Sequence, residues 1–156
     1  MFGVDPSITM TGWADVVDSD GEYEIVELGA AGTKSGRPLE WRIDDIVQAV
    51  APIVDGRFAI ETNFANGRQA ELNNAQLIGV LIDYARHGGS DICRIAPTSA
   101  KKALTGSGKA SKEDMVAAAS KLPGWVDQGS KKRNEAVADA VGVAICALKE
   151  IQNGSA

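Results

Sequence analysis

The stretch MFGVDPSITMTGWADVV (residues 1–17) decides how the chain is built, and its fifth residue raises the question of function. Phe2, Gly3 and Val4 read as a short buried strand, and Pro6, which has no backbone N–H for a ladder, stops it. Asp5 is therefore held at the strand's C-terminal tip. A carboxylate there is either a turn former or a working group. After a short turn, TGWADVVD reads as a second strand, and SDG leads into EYEIVELG, an alternating strand with its glutamates toward water. The opening thirty residues predict a three-stranded antiparallel meander.

Beyond it, helices and strands alternate. LEWRIDDIVQAVAPIV places Leu39, Ile43, Ile46, Val47 and Val50 on one helical face. GRFAIE is a short buried strand ending in a second acid, Glu61. AELNNAQLIGVLIDYARHGG reads as a helix closed by paired glycines, and DICRIAP as a fifth strand. TSAKKALTG and SKEDMVAAASKL are two short helices, the second started by Ser111 with Asp114 three residues on. RNEAVADAVGVAICALKEIQ closes the chain as a helix. Strands separated by helices after a meander predict one α/β domain over residues 1–156. Its five-stranded mixed sheet joins three antiparallel and two parallel strands flanked by helices, the ribonuclease H-like layout.

Composition narrows the class. A chain of 156 residues with 44% apolar and 24% charged side chains can bury a core of its own. No apolar run approaches the roughly 20 residues that span a bilayer, and the N-terminus lacks the basic region of a secretory signal. Cys93 and Cys146 lie in apolar runs without Cys or His partners, as reduced core residues do, so a cytoplasmic location is expected. The net charge of -5 hides an asymmetry: residues 101–133 carry eight basic and three acidic side chains, a local excess of five positive charges. A basic face on an acidic body suits a polyanionic partner.

Asp5 and Glu61 each follow an apolar strand core, and ligand sites in α/β sheets gather at the C-terminal ends of parallel strands. The closing helix adds Glu135 and Asp139, four residues apart and so on one face, with Asp139 among apolar neighbours. Taken singly, an Asp before Pro is most often a turn residue, and an i,i+4 acid pair is most often surface. Together, two strand-tip acids and an acid inside an apolar helix make an expensive arrangement. Two unit charges about 4 Å apart repel by roughly 4 kcal/mol at an effective dielectric near 20. A divalent cation removes that cost, and oxygen-only ligands select Mg²⁺ or Mn²⁺ over zinc.

With these acids placed, the chain resembles the RuvC family of Holliday junction resolvases. GVDPSITMTGWA looks like the family's G-I-D-P-G-S-x-x-T-G-Y-G, and AIETNF like its A-I-E-x-x-F. APTSAKKALTGSGKASKEDM is similar to its A-P-x-x-V-K-x-x-x-x-G-x-G-x-A-x-K, and ADAVGVAICAL to its A-D-A-L-A-I-A helix. The blocks keep the family's order over nearly the whole chain; its short length and loosened motifs resemble a divergent or phage-borne member, which would act in the host cytoplasm.

The resemblance implies metal-binding roles for Asp5, Glu61 and Asp139, with two Mg²⁺ per active site and Mn²⁺ able to substitute. It implies catalytic and DNA-binding roles for Lys112 and a DNA-binding role for Lys101, and it makes Phe64 the aromatic inserted against bases at the junction centre. Three departures stand out: Ser7 replaces a glycine, Ala100 replaces a valine, and Ala136 stands where the family has its fourth acid. Glu135 is four residues before Asp139 and shares its helix face, so it is the expected substitute, both as metal ligand and as catalytic residue. Lys102, Lys109 and Arg68 are expected backbone contacts. Family members act as dimers, and Leu77, Val80 and Tyr84 on an apolar helix are the expected two-fold interface. His87, at a helix end, reads as structural, and the three tryptophans as core or interface residues.

The expected function is a Mg²⁺-dependent homodimeric endonuclease that nicks four-way DNA junctions symmetrically; a helicase that delivers the junction leaves no mark in the sequence. A structure-selective nuclease acting on forks, flaps or RNA-containing duplexes would use the same acids. A junction-binding protein that does not cut would not need them. An actin-like sugar kinase shares the Gly-x-Asp strand but requires a second domain.

Overall fold

β1 (Phe2–Asp5) lies at the centre of the sheet, and everything that positions the site follows from its two faces. The computed structural model describes residues 1–51, 56–62 and 68–154. β1 pairs antiparallel with β2 (Met10–Ser19), which pairs antiparallel with β3 (Glu22–Gly32). On its other side β1 runs parallel to β4 (Arg57–Glu61), and β4 parallel to β5 (Asp91–Ile95), giving the order β3-β2-β1-β4-β5. The helices are α1 (Leu39–Val50), α2 (Gln69–His87), α3 (Pro97–Thr105), α4 (Lys112–Ala119) and α5 (Lys131–Gln152).

Alternation along the strands sorts side chains to opposite faces. Phe2, Val4, Phe58 and Ile60 meet Ile46 and Val50 of α1 and Leu77 and Leu81 of α2 in one core. On the opposite face, Ala14, Val16 and Ile25 pack on Val137, Ala140, Val141 and Ala144 of α5. Residues Ala136 through Ala147 of α5 are all buried, as a helix enclosed on every side must be. Gly3 and Gly12 let it approach: an added Cβ at Gly12 would lie 2.1 Å from the Ala136 carbonyl oxygen, and one at Gly3 2.6 Å from that of Ala140.

Two expectations are corrected. β3 continues to Gly32, beyond its predicted end at residue 29, and its alternation slips where the β2–β3 register shifts between Asp15 and Val16. That bulge leaves Val26 facing solvent beside Glu27. Leu77, expected at a two-fold interface, is fully buried beneath α2. Its i,i+4 partner is Leu81 on the inward stripe, whereas Val80 and Tyr84 form the exposed i,i+4 pair, with Leu72 exposed two turns earlier.

Candidate active site

The register of β1 and β4 pairs Val4 with Ile60, so Asp5 and Glu61 are the next residues on adjacent parallel strands. Both share the faces of Gly3 and Ala59, which are turned toward α5. Gly12 lies opposite Asp5 across the antiparallel pair and presses on the Ala136 carbonyl. The turn of α5 between Glu135 and Asp139 is thereby held over the tip of β1. Asp139 is only 5% exposed, and the Lys112 ammonium forms its ion pair. Lys112 begins α4 through a capping box: Ser111 Oγ accepts from the Asp114 N–H (3.1 Å) and Asp114 Oδ2 accepts from the Ser111 N–H (2.9 Å).

A cleft of about 190 Å³ opens here, lined by Asp5, Ser7, Thr9, Lys112, Lys132 and Glu135 among others. Glu135 lies 3.7 Å from Lys131, which also holds Glu113 at 2.7 Å. Asp5, Glu135 and Lys112 therefore share one cavity, and Asp139 joins it through Lys112. Glu61 lies on the same face of the sheet but does not line that cavity. Lys101 and Lys102 are on α3, and Lys102 is exposed. Lys109 and Lys121 flank a second groove of about 560 Å³ with Thr105 and Ser107. Arg68 is exposed at the head of α2, its N–H donating to Glu71 Oε2 (3.4 Å). Phe64 lies outside the described residues. Ser7, Thr9 and Lys132 line the cleft without having been expected there. Lys132 is one of three consecutive cations, and only the fold separates it from Lys131 and from Arg133, which donates to the Ala30 carbonyl.

Burial pushes the Asp5 carboxyl up to about 6 from 3.8, against the opposing pull of the Lys112 charge. An acid whose folded-state pKa is raised favours the fold while protonated. Its contribution is fully present below 3.8 and is lost as pH rises through about 6. Without divalent cations, the wild-type protein is expected to lose about 2 kcal/mol of stability between roughly pH 4 and 7 that Asp5→Asn retains. Urea midpoints in EDTA across that range check this, and parallel pH profiles for the two proteins would refute it.

The donor chemistry suits a divalent metal. All four acids offer oxygen, Asp139 already demands a cation that Lys112 supplies, and Asp5 is held in an environment that disfavours its uncompensated charge. Among the described residues, no three acids, histidines or cysteines are close enough together to hold an ion as they stand.

The sequence profile described as "Crossover junction endodeoxyribonuclease RuvC" matches residues 1–147. The chain belongs to the RuvC family. The RuvC of Corynebacterium diphtheriae is 31% identical over 151 residues, covering 93% of this chain and 91% of its own length. That of Chlorobium phaeobacteroides is 29% identical, covering all of this chain and 84% of its own. Thermus thermophilus RuvC, solved in complex with a Holliday junction substrate, has the same fold. Its TM-score is 0.82 at 21% identity, over 99% of this chain and 95% of that one. The fowlpox virus Holliday junction resolvase aligns with a TM-score of 0.65 at 9% identity, over 96% and 97% of the two chains. These likenesses confirm the ribonuclease H-like mixed sheet and the crossover junction endonuclease family, whose members are divalent-metal-dependent hydrolases. No helix among the described residues is long and apolar enough to cross a membrane.

Proposed function

We propose that this RuvC-family endonuclease acts as a homodimer that nicks four-way DNA junctions symmetrically, with Asp5, Glu61, Glu135 and Asp139 holding two Mg²⁺ ions per active site and Mn²⁺ able to replace them. The observation that carries the reading is the buried Asp139, set over the tip of β1 and facing Lys112 in the wall of the Asp5 cleft. Bound divalent ions would lower the pKa of an attacking water and stabilise the leaving oxygen. The chain's own groups do the rest. The Lys112 ammonium, half exposed at the cleft, faces the phosphate charge, and Lys132 borders the same cavity. Lys101, Lys102, Lys109 and Arg68 extend a basic track for the sugar-phosphate backbone. Phe64 supplies a stacking surface for bases at the branch point. Val80 and Tyr84, exposed on α2, form the two-fold contact that presents two sites to two symmetry-related strands.

Incubating the protein with an end-labelled four-way junction and a matched linear duplex, in Mg²⁺ and in EDTA, tests this. Paired nicks near the crossover, confined to the junction and lost in EDTA, are expected, with a dimer in sedimentation at micromolar concentration. Equal cutting of forks and flaps would make the chain a broader structure-selective nuclease. Tight junction binding without cutting in either Mg²⁺ or Mn²⁺ would make it a binding protein.

A further inference from the structure

The turn that follows Asp5 has little ladder of its own, and side chains hold it in place. Thr11, fully buried, closes it from the strand side: its Oγ1 accepts from the Ser7 N–H (3.1 Å) and donates to the Ser7 carbonyl (2.9 Å). The Ile8 backbone is held through both of its flanking peptide groups, from the far side of the sheet, by two helices. Its N–H donates to Asn74 Oδ1 of α2 (3.0 Å), and its carbonyl accepts from Arg42 Nη2 of α1 (3.1 Å) and from the Thr33 hydroxyl. Arg42 Nε also donates to Thr33 Oγ1 (2.9 Å), so these two side chains are linked directly and meet Asn74 through the Ile8 backbone. Thr33 N–H reaches the Thr9 carbonyl at 3.3 Å and extends the clamp by one residue.

The side chains of the turn face two ways. Ile8 is 4% exposed in the core shared with α1 and α2, while Ser7 and Thr9 line the cleft beside Asp5. Anchoring the Ile8 backbone therefore fixes the wall of the cleft. We propose that Asn74 and Arg42 are positioning residues for the nuclease site, acting through the Ile8 backbone to hold Ser7 and Thr9 against Asp5. The inference rests on the cleft being the site of cutting. Neither residue lines the cleft, so both act on the rate of the bound complex and not on capture of DNA. A displacement of about 1 Å in a catalytic wall can cost up to a hundredfold in rate.

Asn74 serves as an acceptor here, which provides a conservative control: Asn74→Asp keeps an oxygen for the Ile8 N–H, and Asn74→Leu removes it at similar size. Single-turnover nicking of a four-way junction at saturating protein is measured beside junction dissociation constants in EDTA. Asn74→Leu is expected to slow nicking about tenfold with the dissociation constant within twofold of wild type, and Asn74→Asp to stay within threefold of the wild-type rate. Hydrogen exchange at the Ile8 amide reads the link without any cutting, and it is expected to quicken at least tenfold in Asn74→Leu. Arg42→Met, which leaves the Asn74 bond intact, should slow nicking to a similar degree and carries the comparison if Asn74→Leu does not fold. Wild-type rates in both variants, or equal losses in Asn74→Leu and Asn74→Asp, or a slowing matched by weaker binding, would overturn the proposal. Failure of the wild-type protein to cut any junction would instead overturn the nuclease reading, with the exchange result still reporting on the clamp.

Discussion

Asp139→Asn is expected to reduce junction nicking by roughly a thousandfold while leaving junction binding within a few-fold of wild type. Its side chain is 6% exposed and is paired with the Lys112 ammonium, whose side chain is 49% exposed. The asymmetry separates the effect on chemistry from the effect on folding. Losing the carboxylate leaves a lysine that can turn to water, so the fold should survive at a cost of about 1 kcal/mol. Lys112→Ala is the harsher change for the protein without metal, because it leaves a carboxylate buried without its counter-charge. Single-turnover cleavage with thermal melts on the same samples checks the prediction. Nicking within tenfold of wild type would place the chemistry elsewhere on the chain.

The second large effect touches no acid. An added methyl at Gly12 would lie 2.1 Å from the carbonyl oxygen of Ala136 and 2.3 Å from its carbon, both backbone atoms of α5. Side chains can rotate away from a clash, but a buried helix backbone has to move as a body. Gly12→Ala is therefore expected to destabilise the protein by about 3 kcal/mol or more, at or beyond the upper end of ordinary overpacking. Any folded fraction should show α5 displaced from β1, and with it Asp139 from Asp5. Urea denaturation and junction cleavage together test this. A wild-type midpoint with full activity would show that α5 does not rest on the sheet at this residue.

Much of this was legible because local signals agreed. The meander, the strand-tip positions of Asp5 and Glu61, the Ser111 helix start and the apolar surroundings of Asp139 all follow from residue type and spacing over short windows. Period-two and helical patterns report which face a residue occupies within its own element. They do not report which neighbour covers that face. Leu77 and Val80 both look apolar on α2, and only packing against the sheet turns Leu77 inward and leaves Val80 exposed. The β2–β3 bulge broke the alternation near Val26 because register depends on the partner strand as well as on β3.

The cleft shows the same division. By itself the sequence determined the family through its motif blocks, and the α/β order of elements and the acids at strand tips and within the last helix through residue type and spacing. The tertiary structure alone decided that Gly3 and Gly12 bring α5 onto the sheet, that Lys112 reaches Asp139 from a different helix, and that Lys132 borders the cavity while Lys131 and Arg133 face other partners. It also decided that Arg42 and Asn74, far apart in the chain, hold the backbone of the same residue, Ile8, in the turn after Asp5. Such contacts join residues distant in sequence, and their existence depends on how closely two elements approach. That distance is set by side-chain volumes across a whole interface, which no local pattern records.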